Sequence, residues 1–436
     1  MNHSTLEVNS DSKKLKIAVI GGGISGLSAA WLLNQKHEVT LYESQSKPGL
    51  YAEAVDLQIG GRSYNCDIPG RIMADRYYMT LFKLCEYLKV ELQQFTPSIS
   101  FLDDSLETYF SYTALGRLAW PSSWKWKYVR TERFWKRIYG YILFISSIER
   151  DVDNLELDKI SLKEYMQTRQ FKCTDLFYKE ILSVYNVVLS CGNQEIENYP
   201  ARIFVNLFIR LFHSHFYRIK GGMKKLTAKL TDDVTIKTNS PVESVHRREG
   251  KVSLMVKGSW ADFDAVVFAT PPASTLNILG EAATLEEKDI FNSFSYAKTK
   301  MWLHTDKSVQ KDHPSMLNVL VSDKLDHAPF HFYINTILTD EAGFPLPHSD
   351  TFYYQTYNPV TPVSEKSIIK EAHLSRIVLT LNTQAVLEKL QRIQGKGQTW
   401  YCGAYSLYSA HLLEDGLKSA IGIAKKFGVS EPWATP

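Results

Sequence analysis

Apolar positions near the N-terminus come in two different rhythms. Lys16-Ile17-Ala18-Val19-Ile20 is a short, nearly continuous apolar run, and Leu27, Ala29, Ala30, Leu32 and Leu33 then recur at helical spacing, so strand, tight turn and helix are expected in that order. A second strand is expected at Glu38-Val39-Thr40-Leu41-Tyr42. Pro241-Val242-Glu243-Ser244-Val245 follows a turn-rich stretch and precedes the hairpin-like Arg248-Glu249-Gly250-Lys251, which predicts a further strand beside the first two. Residues 73–95 and 131–150 mix apolar and charged positions at helical spacing, while 299–305 and 351–357 alternate as strands do, so a helical lid joined to a sheet is expected outside the N-terminal unit. Phe204, Phe208, Leu211, Phe212, His215 and Phe216 stand at near-helical spacing and read as an apolar cavity wall. No internal repeat or low-complexity tract interrupts these patterns.

Length and composition narrow the classes. At 436 residues the chain exceeds one compact core, which favours two domains. The 24 Tyr, 21 Phe and 9 Trp suit an apolar substrate cavity or a flat conjugated cofactor, and equally suit core packing. A formal net charge of +3 gives no reason to expect nucleic acid as a partner. Cys66, Cys85, Cys173, Cys191 and Cys402 are scattered and odd in number, which argues against a disulfide framework and a zinc site and for a reducing, cytoplasmic home. Residues 1–14 are polar, without the apolar core of a signal peptide, and are expected to be a disordered tail. The most apolar run, Ile138 to Ile148, is about half of the ~20 residues a spanning helix needs, so no transmembrane segment is expected.

Gly21-Gly22-Gly23-Ile24-Ser25-Gly26 joins the first strand to the first helix. Gly21 permits the turn, Gly23 lets backbone approach a diphosphate, and Gly26 lets the helix pack on the strand, so the diphosphate can rest on the free N–H groups of Ile24 and Ser25 at the helix start. Glu43 ends the second strand about 20 residues on, where a carboxylate accepts both ribose hydroxyls and repels a 2′-phosphate. An isolated GxGxxG also marks plain turns; strand, glycines, helix, strand and terminal acid in register make that reading improbable. To this point NAD and FAD fit alike.

From Lys16 onward, KIAVIGGGISGLSAAWLL and HEVTLYE resemble the FAD-binding start of the flavin amine oxidase superfamily, which includes phytoene desaturase-like enzymes. The likeness is greatest to a branch of FAD-binding oxidoreductases that also resembles the N-terminal half of plant cyclopropane fatty acid synthases. It extends through Gly221-Gly222-Met223, the run Phe263 to Pro272, Leu303-His304-Thr305-Asp306, Trp400 to Tyr405 and Glu414 to Ala420. The resemblance implies an α/β fold, a Rossmann-like FAD-binding domain of glutathione reductase type with an interleaved α+β substrate domain. The FAD-binding domain would comprise 15–75, 219–280 and 395–436, and the substrate domain 76–218 and 281–394. It further implies that Val242 meets adenine through its backbone, and that Ala269, Thr270 and Pro271 lie beside the cofactor. Cys402-Gly403 would end a strand with its backbone open to the cofactor. Asp415-Gly416 would begin a helix through Leu417, whose N-terminus faces the flavin pyrimidine carbonyl. A plain NAD dehydrogenase has no need of that closing element, so FAD is the expected cofactor.

Three departures stand out. Where amine oxidases show Gly-Gly followed by Arg or His after a basic residue, this chain has Lys47-Pro48-Gly49-Leu50-Tyr51, so Lys47, Gly49, Leu50 and Tyr51 would form a changed contact with the cofactor. Asp67-Ile68-Pro69-Gly70-Arg71 also differs from the amine oxidases proper, and no acid stands at Ala404-Tyr405.

Catalytic candidates are few, because hydride chemistry belongs to the flavin ring. Lys300 occupies the strand position where many amine oxidases hold a water against flavin N5; a solvated strand lysine, with Lys298 on the same face, is the commoner alternative. His215 precedes the Gly221-Gly222 turn as a histidine does in the family branch; a satisfied core or surface histidine competes for it and for His304. Between Trp120 and Tyr141, Trp124, Trp126 and Trp135 interleave with Lys125, Lys127, Arg130, Arg133, Lys136 and Arg137, a pattern for peripheral membrane contact or a solvated helix face. The readings are an FAD-dependent oxidoreductase using oxygen or another acceptor on an apolar amine or lipid-like chain, a redox-neutral FAD isomerase, and a non-catalytic flavin-binding interaction module. No metal is expected, and the sequence leaves the oligomeric state open.

Overall fold

The strand Lys16–Ile20 buries both faces: Ile17 and Val19 point into one apolar cluster, Ala18 and Ile20 into another. Two-sided burial explains why the run is continuous rather than alternating. In this computed structural model the chain is described except for residues 1–13, 51, 116–117, 124–131, 169–174, 313, 323, 341, 348, 361 and 435–436. The expected tail therefore lies outside the described residues apart from Lys14, as do Trp124, Lys125, Trp126, Lys127 and Arg130 of the basic aromatic stretch and the side chains of Arg133, Lys136 and Arg137.

Five strands form a parallel sheet in the order Thr235–Lys237, Glu38–Tyr42, Lys16–Ile20, Ala265–Phe268, Thr399–Tyr401. On the Ile17 and Val19 side lie the helices Ile24–Leu33, Met223–Thr231 and Leu413–Lys426. On the other side, a three-stranded antiparallel sheet of Val242–Arg248, Lys251–Val256 and Ser259–Phe263 joins the helices Pro272–Leu279, Leu285–Asn292 and Thr383–Ile393 around Val252, Leu254, Ile290 and Leu390. Each fully buried Leu, Ile or Val contributes about 1.5–3 kcal/mol, so these two cores hold the parallel sheet as a rigid platform.

The second large unit is an eight-stranded sheet. Its order is Ile368–Val378, Ser295–His304, Tyr354–Tyr357, Phe330–Tyr333, Leu317–Leu320, Ser98–Leu102, Thr108–Leu115, Leu118–Ser123, antiparallel except where Leu317–Leu320 runs parallel to Ser98–Leu102. The helices Glu132–Asp151, Leu162–Thr168, Asp175–Leu189 and Ala201–Phe212 accompany it. Thus the mixed α/β architecture and the strands expected near 299–305 and 351–357 are present. Among the described residues no helix is long and apolar enough to cross a membrane.

Candidate functional site

The carboxyl ends of the parallel strands gather the sequence-predicted residues at one edge, where open α/β sheets place their ligands. The ladder runs one residue past each strand: Gly21 N–H donates to Tyr42 O at 2.8 Å, Glu43 N–H to Lys237 O at 2.9 Å, Ala269 N–H to Ile20 O at 2.8 Å and Cys402 N–H to Phe268 O at 2.8 Å. Gly21, Glu43, Ala269 and Gly403 consequently share one rim. Ser240 N–H donates to Glu43 O at 2.9 Å, which brings the strand starting at Val242 to the same rim.

Three glycines of the first turn have separate tasks. Gly21 has φ +104°, open to glycine and strained for any other residue, and a Cβ there would stand 2.8 Å from Ala269 O and 3.1 Å from Thr270 Cγ2. A Cβ on Gly26 would stand 1.8 Å from Gly21 O, so this glycine seats the helix on the turn. At Gly23 nothing lies within 4 Å of a Cβ. That open space adjoins the start of the helix Ile24–Leu33, whose first turn receives no side-chain cap, leaving N–H groups pointing into it. A diphosphate fits there. Gly49 lies beside this turn, its Cβ position 3.8 Å from Gly23 N; Lys47 is exposed, Leu50 is buried, and Tyr51 lies outside the described residues. Glu43, 7% exposed, accepts from Gly22 N–H at 2.7 Å and Gln45 N–H at 2.8 Å, which fixes its carboxylate at the rim.

The second helix start meets the first. A Cβ on Gly416 would lie 2.6 Å from Ile24 Cγ2 and 2.8 Å from Ser25 Oγ. The helix begins at Leu413 rather than at Asp415, because the Asp415 carboxylate reaches back to accept Leu412 N–H at 2.8 Å and also accepts Tyr77 O–H at 2.8 Å. Burial pushes the Asp415 carboxyl up. Glu414 accepts Thr80 N–H at 2.9 Å and Leu81 N–H at 2.9 Å, capping the helix Met79–Tyr87 from outside. Gly403 N–H donates to Ser419 Oγ at 3.0 Å, tying the strand-end loop to the same helix, and Leu417 is fully buried beneath it.

Between this rim and the large sheet lies a polar interior. Gly70 N–H donates to Gln355 Oε1 at 2.8 Å, and the Asp67 carboxylate accepts Met223 N–H at 3.0 Å. Burial pushes the Asp67 carboxyl up despite that bond and the neighbouring Arg71 and Arg218. Burial likewise pulls the Arg71 guanidinium down, with Asp67, Tyr357, Tyr78 and Arg376 around it. Nε of Arg71 and Nε of Arg376 are both sealed and without a hydrogen-bond partner. Sequence reading named the stretch Asp67 to Arg71 only as a departure and gave it no site role; the signal for one was a lone Arg between Ile68-Pro69 and Ile72-Met73, a charge inside an apolar run.

The other candidates are placed elsewhere. Strand parity turns Thr299, Met301 and Leu303 inward, and Lys300 outward with Lys298 and Trp302. Lys300 is 42% exposed, its Nζ 2.9 Å from Glu371 Oε2, and it corresponds to the solvated strand lysine rather than to a group held at a flavin. His215 is 55% exposed and pairs with Asp75 at 3.2 Å. His304 is buried, its Nδ1 accepting Asp306 N–H at 3.1 Å, so its Nε2–H donates to Thr356 Oγ1 at 2.7 Å and the Thr356 hydroxyl can donate to His331 Nδ1 at 2.8 Å. This chain bonds three neighbouring strands, and burial pulls His304 down to about 4 and His331 to about 3. The Phe string is not a cavity wall: the helix ends at Phe212, Phe204 stacks on Tyr185 at 4.2 Å and Phe208 meets Phe144 at 5.0 Å, so these rings fill the seams between helices. Glu195, Asp326 and His327 cluster with ligand atoms within 4.8 Å of one another, remote in sequence from the rim residues.

A family profile described as "Flavin containing amine oxidoreductase" matches residues 24–352. No curated protein matches significantly in sequence. Solved structures share the fold: a CLA-producing fatty acid isomerase from P. acnes has 15% identity and a TM-score of 0.69, covering 96% of this chain and 100% of its own. Cyclohexylamine oxidase from Brevibacterium oxydans IH-35A has 12% identity and a TM-score of 0.61, covering 95% and 100%. A putrescine oxidase with putrescine bound has 13% identity and a TM-score of 0.62, covering 95% and 99%.

Proposed function

This chain belongs to the flavin-containing amine oxidoreductases, a flavoprotein family whose FAD is its cofactor, and on that premise we propose that it removes hydride from an apolar small molecule, an amine or a lipid-like chain. The observation carrying this reading is the apposition of two helix starts, Gly416 against Ile24 and Ser25, beside the open space at Gly23. Bound there, FAD supplies the hydride acceptor at flavin N5.

The chain's own residues bind, orient and exclude water. Ile24, Ser25 and Gly26 present N–H groups to the diphosphate, with Gly21 and Gly23 clearing its approach. Glu43 takes the ribose hydroxyls and Val242 offers backbone to adenine. Lys47, Gly49 and Leu50 flank the dinucleotide on one side, Ala269, Thr270 and Pro271 on the other. Gly403, Asp415, Gly416 and Leu417 set the second helix start, whose positive end favours negative charge on the flavin pyrimidine. In this reading 15–75, 219–280 and 395–436 form the FAD-binding domain, and the rest of the described chain the substrate domain. The electron acceptor is oxygen or a second protein or small molecule, and the compartment is cytoplasmic.

The test is anaerobic mixing of the FAD-loaded protein with panels of amines, fatty acyl compounds and polyenes. Bleaching of the flavin by one class, with recovery in air, is the expected result. Double-bond migration without net bleaching would replace the oxidoreductase by a redox-neutral isomerase, the reading to which the fold of the P. acnes enzyme lends support. A folded protein that takes up no FAD leaves only an interaction module.

Peripheral membrane contact is part of the same proposal. Trp135, Tyr139, Ile142 and Leu143 are 59%, 65%, 57% and 40% exposed along one helix, Glu132–Asp151, in a segment rich in Lys and Arg. Flotation with anionic vesicles is expected to fall several-fold in a Trp135→Ser, Ile142→Ser double variant. Equal flotation of variant and parent, or none of either, removes the contact.

A further inference from the structure

An arginine enclosed by protein needs an anion or a set of acceptors, because its five N–H donors lose water on burial and regain nothing unless bonded. Arg71 has neither among the described residues: its Nε is sealed without a partner, and no carboxylate lies within ion-pair distance of its guanidinium. Its nearest acid, Asp67, spends its carboxylate on Met223 N–H at 3.0 and 3.1 Å. Arg71 is deep enough for burial to pull its guanidinium down, yet it keeps partial exposure.

A second arginine faces the same interior from a separate segment. Arg376, on the strand Ile368–Val378, donates one Nη2 hydrogen bond to His411 O at 3.1 Å, leaves Nε without a partner, and weighs on Arg71 by like charge. A second guanidinium with an unpartnered Nε beside the first gives an anion two donors to bridge. The walls are aromatic: Tyr78 is 7% exposed, Tyr357 is 4% exposed, and Tyr357 stacks on Phe330 at 4.0 Å.

We infer that Arg71 and Arg376 form a headgroup site for a carboxylate carried on an apolar body, so that the substrate is an organic acid rather than a simple amine. The inference rests on the proposed function and names its substrate class. Position argues for substrate over cofactor. Arg71 hangs from a loop pinned by Gly70 N–H to Gln355 of the large sheet, whereas the diphosphate has its own N–H donors at the uncapped helix start beside Gly23.

The test uses FAD-loaded protein and decanoate, decylamine and decanol below micellar concentration, with binding read from the flavin absorbance spectrum. Saturable perturbation by decanoate is expected, with decanol and decylamine at least about tenfold weaker, since a charge-assisted bidentate contact is worth that much or more. Arg71→Gln should keep its FAD, lose at least tenfold in decanoate affinity and unfold at an equal or higher temperature, because an unpartnered enclosed charge has been removed. Arg71→Lys should recover only part of the affinity. Tighter binding of decylamine than of decanoate overturns the inference, as does unchanged decanoate affinity in Arg71→Gln. Loss of FAD from Arg71→Gln also overturns it, by assigning the guanidinium to the cofactor, and leaves the oxidoreductase reading standing. Failure of the parent protein to hold FAD fails that reading instead.

Discussion

Gly23→Val will fold as the parent does and bind FAD at least about 100-fold more weakly, a loss of about 3 kcal/mol. The backbone at Gly23 has φ −72° and ψ −180°, an extended conformation that any residue adopts, and no protein atom lies within 4 Å of the added Cβ. As a helix-capping position it should cost the apoprotein less than about 1 kcal/mol. The branched side chain would instead occupy the space at the uncapped helix start, holding the diphosphate away from its N–H donors. Gly26→Ala supplies the contrast: its Cβ would stand 1.8 Å from Gly21 O, so the helix must move off the turn and stability falls together with FAD affinity. Urea midpoints of the apoproteins and FAD titration by calorimetry separate the two outcomes. Equal FAD affinity in Gly23→Val and parent would contradict the assignment of this space.

Glu287→Ala should destabilise the protein by about 3–5 kcal/mol, the range for removing one partner of a buried ion pair. Arg247 grips Glu287 with two bonds, Nη2 to Oε1 at 2.8 Å and Nη1 to Oε2 at 3.0 Å; the Tyr401 hydroxyl donates to the same carboxylate, and Thr284 N–H bonds Oε2 at 2.8 Å. Burial pushes the Glu287 carboxyl up, but the bonds from Arg247 and Tyr401 outweigh it and leave the group below its ordinary range. With side chains only 16% and 3% exposed, solvent screens this pair little. The cluster fastens the three-stranded sheet and the helix Leu285–Asn292 to the last parallel strand, just before the Cys402-Gly403 loop. Replacing both partners, Arg247→Leu with Glu287→Leu, should cost markedly less than Glu287→Ala alone, because no charge is left stranded. Chemical denaturation checks both; a cost below about 1 kcal/mol for Glu287→Ala would remove the network from the account of the fold.

The N-terminal unit was legible because local rules sufficed. A strand buried on both faces reads as an unbroken apolar run, and the glycines mark a turn whose geometry follows from neighbours in sequence. The strand at Val242 was legible for the same reason, bounded by Pro241 on one side and Gly250 on the other, but its place was not: it pairs with Lys251–Val256 in the antiparallel sheet instead of lying beside the first two strands, a choice its hairpin partner makes. The second helix start was placed two residues late: Asp415 looked like a cap, but its carboxylate acts from inside the first turn on Leu412 N–H.

Misreadings arose where spacing names a face without naming what covers it. The periodicity of Phe204, Phe208 and Phe212 announces a buried stripe, and only the fold shows that Tyr185 and Phe144 fill it. Alternation puts Lys298, Lys300 and Trp302 on one side of a strand, and only the adjoining strand, with Glu371 opposite Trp302, shows that this side is the outer one. Arg71 was out of reach for a further reason. Its charge inside an apolar run is visible in the sequence, but Tyr357 and Arg376, which complete its environment, lie far along the chain and leave no local trace.

The ratio of FAD to chain in the folded, purified protein, measured by releasing and quantifying the flavin, tests the central claim most directly. One FAD per chain is the predicted result. A folded, monodisperse chain that is colourless and remains so after incubation with excess FAD would contradict it.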